Sequence, residues 1–587
     1  MAAIRKLFFN QPKSRLVYSV FQRNQLRSSN NFLATRGFQS TPTKLQIKSR
    51  SLGGLFEFKT FDEELFKYLS GEAETVSLPD FLDELTKTGL RLNDPRLEQL
   101  HQKVMEAQSH FMRQDAAEKI NLSKFRELIC DSVVLLHKAF TNDMIIPEFS
   151  SFMKDIDEIY SNCRGNTAGK VADYIPQLSR FSPDYWGVSV CTVDGQRASV
   201  GDTVTPFCLQ SCSKPLTYAL AISELGSDIV HQYIGQEPSG EMFNHIKLDH
   251  NARPHNPMIN AGAILVSSLI RSTTALPDRF DFVSSSYKRM AGGEFLGFNN
   301  SVCLSERETA DRNFALGYYL RENKCFPEGT NLMDTLDLYF QMCSIEVTCE
   351  SASVMAATLA NGGICPITGE RVLDSDAVRN TLSLMYSCGM YNYSGQFAFN
   401  VGLPAKSGVS GAVLIVIPNT MGICTWSPPL DMMGNSVRGI QFAEELVSRF
   451  NFHNYDNLRH TFKKEDPRTR KHDLTTFSLM QLLFGAATGD VHALRRIALK
   501  GEDMSLGDYD GRTALHLSAS EGHMECVKFL LDSCNVPHSP KDRWGHTPLG
   551  EAKKFGKDAV VKFLRDRGAE ETENEAPGPI PMEEKSR

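Results

Sequence analysis

No acidic residue occurs among the first 56 positions of this 587-residue chain; the first is Glu57. A stretch rich in Arg, Lys and Ser, free of acids and broken by short apolar runs, has the composition of a mitochondrial transit peptide. Residues 1–56 are therefore read as a leader and disordered segment, with cleavage expected near Arg36–Ser40. Also missing is any C-x-x-C pair. The 14 cysteines are scattered from Cys130 to Cys534, several inside apolar runs such as YFQMCSIEVTC. That pattern argues against a disulfide framework and for reduced, buried thiols. No uncharged apolar run reaches the ~18 residues that a membrane-spanning helix needs, so no span is expected. Neither H-E-x-x-H nor paired Cys/His spacing occurs, so no metal site is expected, and His255 and His516 read as turn and repeat residues. No glycine-rich loop follows a strand, so nucleotide use is not indicated. A net charge of −7 speaks against nucleic-acid binding.

What is present divides into a multidomain α+β chain. Residues 57–165 carry apolar residues at helical spacing in TFDEELFKYL, LPDFLDELTKTGL, LEQLHQKVMEAQ, SKFRELICDSVVLLHKAF and IPEFSSFMKDIDEIY. GEAETVSLPDFLDEL has the form of an EF-hand, but its loop lacks the alternating Asp/Asn ligands and central Gly that calcium requires. A helical EF-hand-like module without calcium is expected. Residues 166–455 mix strands and helices. WGVSVCTVDGQRASVGD reads as a hairpin turning at Asp194-Gly195, and GAVLIVIPNTMGICTWSPP as two buried strands around Pro418-Asn419. Residues 456–477 read as an exposed charged linker. In 478–568, Gly489, Gly522 and Gly556 recur at the period of ankyrin repeats, and RTALHLSASEGH resembles their consensus. Residues 569–587 form an acidic, proline-containing tail too polar to fold.

The chemistry concentrates in PFCLQSCSKPLTYALA, residues 206–221, which carries Ser211 three positions before Lys214. Pro215 has no N–H and fits a helix only in its first turn, so the helix must begin close to Gln210 or Ser211. Ser211 then sits at the positive end of the dipole, with Lys214 one turn on over the same face. A serine becomes a nucleophile when a base takes its proton. A lysine can do so only if burial lowers its pKa by roughly 3 units, about 4 kcal/mol. Ser-x-x-Lys at such a helix start occurs in serine β-lactamases and penicillin-binding proteins, which also carry Lys-Thr-Gly on a facing strand. Lys406-Ser407-Gly408, before the apolar run GAVLIV, offers the equivalent here.

FCLQSCSKPLTYA, PHNPMINAGAI, ESASVMAATLANGGICPITGERVL, SCGMYNYSGQFAFNVGLPAKSGV and NFHNYDNLRH together resemble the animal mitochondrial glutaminases. The resemblance runs from about Phe61 to Leu564. It implies a β-lactamase-like catalytic domain that hydrolyses L-glutamine to L-glutamate and ammonia in the mitochondrial matrix. By the resemblance, Ser211 attacks the side-chain amide carbon, Lys214 takes its proton, and Tyr391 handles the leaving ammonia and the attacking water. Lys214 is the expected cation beside the Tyr391 phenol. The backbone N–H groups of Ser211 and Val409 would hold the oxyanion, Glu306 the α-ammonium, and Asn260, Asn313 and Tyr339 the carboxylate and polar edges. Tyr174 would close the site. Bland alternatives remain for single residues: Asn260 could cap its helix, and Glu306 could belong to a solvated acidic cluster with Glu308 and Asp311.

Assembly into dimers, tetramers or filaments, inorganic phosphate as activator, and protein partners for the ankyrin repeats are further implications of the resemblance. The chain departs from the kidney-type pattern in EMFNHIKLDH. Met242 and His245 stand at basic positions, Lys247 at an aromatic one, and Asn323 where a lysine is usual. Weaker phosphate activation and a looser tetramer are expected in consequence. The same Ser-Lys pair would suit another amidohydrolase, and a catalytically inactive ankyrin scaffold is a second alternative. Ammonia release from a panel of amides separates the three.

Overall fold

The computed structural model describes residues 61–71, 73–114, 119–241, 244–456, 464–469, 471–499 and 502–570, with the side chains of 110–114 and 471–478 outside the description. The expected transit peptide, and the tail beyond Glu570, lie outside the described residues. Among these, no helix is long and apolar enough to cross a membrane.

The N-terminal module comprises α1 (Phe61–Ser70), β1 (Thr75–Ser77), α2 (Leu78–Lys87), α3 (Glu98–Gln114), β2 (Lys119–Asn121), α4 (Leu122–Ile129) and α5 (Val133–Phe140). β1 and β2 pair antiparallel, Val76 opposite Ile120, which joins two helix–loop–helix units back to back. The periodicity revealed the helices but not this pairing, because a three-residue strand has no pattern of its own. SKFRELICDSVVLLHKAF, read as one helical stretch, is two helices separated by a turn at Cys130–Ser132. Leu78, Phe81, Leu85, Leu100, Phe125, Ile129 and Leu136 form the module's own core.

The next helix, α6 (Phe149–Arg164), falls inside the 57–165 span but does not pack into that core. Its Phe149, Phe152, Ile156 and Ile159 share a core with Val413 and Ile415 of the central sheet, with Trp186 just before it, and with Phe442 of the helix Val437–Arg449. Helical spacing identifies an apolar stripe without saying which core the stripe meets, and here it meets the catalytic layer.

That sheet is built from β3 (Gly187–Thr192), β4 (Arg197–Gly201), β5 (Ala405–Ser407), β6 (Ala412–Ile417) and β7 (Met421–Trp426), in the order β4-β3-β7-β6-β5. All neighbours are antiparallel. Successive β6 residues alternate between two cores: Ala412, Leu414 and Val416 face one helical layer, Val413, Ile415 and Ile417 the other. A strand covered on both faces reads as an unbroken apolar run, which explains AVLIVI. Both expected hairpins are present. Lys406-Ser407-Gly408, however, does not lead straight into the apolar strand. Lys406 and Ser407 lie on β5, a separate edge strand antiparallel to β6, with Leu414 opposite Lys406, and Gly408 begins the turn between the two.

The helices of this region that bear on the site and its core include α7 (Ser213–Leu225), α8 (Asn260–Leu269), α9 (Asn300–Glu308), α10 (Asp311–Glu322), α11 (Leu332–Cys343), α12 (Cys349–Ala360) and α13 (Val437–Arg449). Ser213 to Ile222 of α7 are all buried, so the helix is apolar on every side and runs through the core.

The N-terminal module is fastened to the β3–β4 hairpin and to α12. Arg91 donates to both carboxylate oxygens of Glu350, at 2.8 and 3.2 Å, and to Ser199 Oγ at 2.8 Å. Arg96 donates to the Asp194 carbonyl at 2.7 Å, and Arg197 N to the Gly89 carbonyl at 2.7 Å.

The described residues of the span read as an exposed linker make more contacts than their charge suggests. Lys464 pairs with Asp456 at 2.9 Å, Glu465 N donates to the Arg449 carbonyl at 3.0 Å, and a helix begins at Lys471. Three helix pairs follow, starting at Lys471, Ala514 and Pro548. His516 bonds Thr513 and the His546 carbonyl, a role internal to the repeats.

Candidate active site

Ser211 lies on a 3₁₀ turn, Gln210–Cys212, that leads directly into α7. Pro215 is the third residue of α7, where its missing N–H leaves no helical bond unmade. Gln210, just before Ser211, has φ +50°, and Tyr391 has φ +51°. A non-glycine residue in the left-handed region costs of order 1–3 kcal/mol and persists where the surroundings over-determine it. Two such residues flank the nucleophile candidate.

Lys214 is buried, and its Nζ donates to Asn260 Oδ1 at 2.7 Å; Asn260 Nδ2 in turn donates to Asn313 Oδ1 at 3.0 Å. Burial lowers the Lys214 ammonium from 10.5 to about 8, a shift in the direction a lysine base requires. Asn260 is the first residue of α8, and no side-chain cap bond is made at that terminus. Its amide is committed to Lys214 and Asn313, so the capping alternative fails.

Glu306, near the end of α9, is buried, whereas Glu308 and Asp311 are exposed, so the solvated-cluster alternative fails too. Its Oε1 accepts from Tyr174 OH at 2.6 Å and from Gln210 Nε2 at 2.9 Å. Burial raises its pKa, while those two bonds and the charge of Lys214 oppose the rise. The Tyr174 ring remains half exposed above it. Tyr339, on α11, is buried and bonded to the Cys343 thiol, which also contacts Ser213.

Tyr391 opens a short 3₁₀ turn just after the helix Ser375–Cys388 and directs its buried hydroxyl towards Ser211. Burial pushes the phenol up, and the hydrogen bond with Ser211 pulls it down. The lysine that lies against its ring is Lys406, for which the sequence suggests no role. Lys406 Nζ lies 4.4 Å from the Tyr391 ring centroid and donates to the Ser407 carbonyl at 2.7 Å. Lys406 is fully buried, and burial, then the charge of Lys214, brings its pKa to about 7.

Close backbone approach holds the halves together. A Cβ on Gly408 would lie 2.9 Å from the Leu209 carbonyl and 3.1 Å from Cys212 Sγ. The third position of Lys-Ser-Gly therefore admits no side chain without displacing the Ser211 turn. Cys212 Sγ donates to the Lys406 carbonyl at 3.3 Å, clamping β5 to that turn from the other side. Val409 follows in the half-buried β5–β6 turn. Gly389 lets the segment before Tyr391 pass Ala405, whose carbonyl would sit 1.8 Å from an added Cβ. A cavity of about 310 Å³ opens beside Tyr391, lined in part by Pro238, Glu241, Met258, Cys388 and Asn392.

All the residues expected from the sequence belong to this one region. Sequence reasoning assigns no role to Gln210 or to Lys406, and both belong to the site. Gln210 was detectable as a polar residue next to the serine in an otherwise apolar helix approach. The ring contact of Lys406 depends on how β5 pairs, which no local pattern discloses.

With this arrangement in view, comparison with known proteins is direct. A family model for glutaminases matches residues 169–455, one for an EF-hand domain residues 61–147, and one for ankyrin repeats in three copies residues 482–575. The liver isoform of mitochondrial glutaminase from Mus musculus is 54% identical over 502 residues, covering 86% of this chain and 83% of that protein. The chain belongs to the glutaminase family. A putative glutaminase 2 of Caenorhabditis elegans is 51% identical over 510 residues, covering 85% of this chain and 84% of its own. A glutaminase of the cyanobacterium Nostoc is 44% identical over 311 residues, which cover 92% of that protein but 53% of this chain. This glutaminase therefore joins a β-lactamase-like catalytic domain to an N-terminal EF-hand domain and C-terminal ankyrin repeats.

Proposed function

We propose that this glutaminase hydrolyses the side-chain amide of L-glutamine through a γ-glutamyl ester on Ser211. The observation that carries the reading is the buried, depressed Lys214 one turn from Ser211, oriented by Asn260 and Asn313. Lys214, neutral, takes the Ser211 proton as oxygen attacks the amide carbon. Tyr391, held protonated by burial, passes its proton to the departing ammonia and recovers one from the water that cleaves the ester, while Lys214 returns its proton to the leaving Ser211 oxygen. Lys406 Nζ lies over its ring, and a phenolate forming there favours the charged lysine, which offsets it. The oxyanion sits between the N–H groups of Ser211 and Val409, a pair of fixed donors worth several kcal/mol. Glu306 takes the α-ammonium, with Tyr174 over it. Asn260, Asn313 and Tyr339 take the carboxylate and polar edges. No metal is needed for these steps.

The pH dependence tests the base. Neutral Lys214 is the active form, so kcat/KM rises about tenfold per unit below pH 8 and flattens above it. Rates measured from pH 6 to 9.5 check this, and a flat profile between 6 and 9 contradicts it.

We further infer a mitochondrial enzyme of the matrix, since the acid-free leader composition agrees with the mouse and rat relatives being named mitochondrial. Assembly into dimers and tetramers, with filaments as an extension of the tetramer, activation by phosphate, and partners held by the ankyrin repeats are proposed on the same family grounds. Lys247 supports the expectation of weak activation. It pairs with Glu241 at 2.9 Å with both side chains exposed, so burying it at a subunit contact would cost its hydration. Asn323 Nδ2 caps the Tyr319 carbonyl at 2.8 Å and brings no charge. Met242 lies outside the described residues. Lys247→Phe is expected to strengthen both the tetramer and the phosphate response, read by sedimentation and by rate against phosphate. A wild-type tetramer and response already at kidney-type levels contradicts it.

A further inference from the structure

The ankyrin repeats project two aromatic side chains into solvent from successive turns. Tyr509, in the turn 508–512, is 91% exposed, and Trp544, in the turn 542–546, is 60% exposed. The turns are tied by Arg543 N donating to the Asp510 carbonyl at 2.7 Å. The Arg543 guanidinium lies 5.5 Å from the Tyr509 ring and 3.5 Å from Asp510 Oδ1. The Arg543 side chain thus lies against the Tyr509 ring, and Trp544 is the next residue in the chain. Exposed Trp, Tyr and Arg in a rigid setting are the residues that dominate binding surfaces.

The position of the chain end indicates what covers it. Glu570, the last described residue, is held in the third repeat: its N–H donates to Ser539 Oγ at 2.8 Å, and Thr547 Oγ1 donates to its carbonyl at 3.2 Å. Thr547 directly follows the turn that carries Trp544, so the chain leaves the repeats beside that turn. Beyond Glu570 the sequence is ETENEAPGPIPMEEKSR. Three glutamates, Glu571, Glu573 and Glu575, come first, then Pro577, Pro579 and Pro581 around Ile580. Acids next to Arg543 and Lys541 form charge-assisted bonds. Prolines are pre-extended and pack on aromatic faces at little entropic cost. Pro577 is seven residues from Glu570, a reach of up to about 23–25 Å.

We propose that the Tyr509–Arg543–Trp544 strip is a docking surface for this chain's own residues 571–582. The glutamates meet Arg543 and Lys541, and the prolines lie on the two rings. Tethering at Glu570 supplies an effective concentration on the order of millimolar, so a weak contact suffices to keep the strip covered. Another protein with an acidic, proline-containing segment would have to displace it.

The tryptophans make the test direct, because Trp186 and Trp426 are 1% and 0% exposed, leaving Trp544 as the solvent-facing one. Acrylamide quenching is compared between the full chain and a chain ending at Glu570, with Trp544→Phe used to isolate the Trp544 signal. Removing the tail is expected to raise the Trp544 quenching constant roughly twofold, and millimolar synthetic peptide 571–587 to reverse the change. Serine at Pro577, Pro579 and Pro581 in the full chain should reproduce the deletion. Equal quenching with and without the tail overturns the proposal. So does protection that fades on dilution, which assigns the contact to a second copy.

Discussion

Ser211→Ala is expected to lower kcat for glutamine hydrolysis by about 10⁴-fold or more while leaving the fold intact. The substitution removes one oxygen from a half-buried position at a helix start, so it creates almost no cavity. What it removes chemically is the atom that forms the ester. The oxyanion donors and the groups around Glu306 remain, so substrate binding should survive with KM little changed. Ammonia release and thermal melting on the same preparation separate the two effects. Activity within tenfold of wild type contradicts a nucleophilic Ser211. Lost activity accompanied by a collapsed melting transition would show a structural role instead.

Lys406→Met is expected to cost about 10²–10³-fold in kcat and to stabilise the protein by about 1–3 kcal/mol. Methionine keeps the length of the side chain but not its charge. Activity falls because no cation remains over the Tyr391 ring to offset a phenolate. Stability rises because the folded chain no longer has to hold a desolvated lysine, a gain reduced by the lost bond to the Ser407 carbonyl. Burial lowers the Lys406 pKa to about 7 when folded, against an ordinary 10.5 in the unfolded chain. Between those values the unfolded state binds more protons, so wild-type stability rises as pH rises through that window. The stability advantage of Lys406→Met should therefore be largest at pH 7 and below and shrink towards pH 10. Thermal melts at pH 7 and 9 check the sign. A variant less stable than wild type at pH 7 means that Lys406 contributes more through contacts than it costs by burial.

These two residues also mark how far the sequence could be read. Ser211 was legible because Pro215 has a single compatible place in a helix, and that place sets the start of α7. Glu306, Asn260 and Tyr391 entered through resemblance, since a lone glutamate or asparagine has no spacing that distinguishes a ligand from a cap. Lys406 lay in a recognised motif, yet its partner is set by the edge strand β5 folding back on β6. The turn 408–411 that reverses the chain reads locally like the beginning of one long strand. The assignment of α6 failed for a related reason. Its apolar stripe is complete, but whether that stripe meets the EF-hand core or the sheet is a tertiary outcome. Lys464 and Glu465 sit in a run whose charge suggests solvent, while their partners are Asp456, at the start of that run, and Arg449 on α13. The ankyrin repeats were plain because a repeated period states its own register.

The central claim is that glutamine passes through an ester on Ser211. The measurement that tests it most directly is rapid acid quenching of the enzyme during turnover, followed by proteolysis and mass spectrometry. The account predicts one glutamyl group on the peptide that contains Ser211, released by hydroxylamine as a hydroxamate and absent from Ser211→Ala. A fully active preparation that exchanges glutamine for hydroxamate while Ser211 stays unmodified, or a glutamyl group on any other residue, would contradict it.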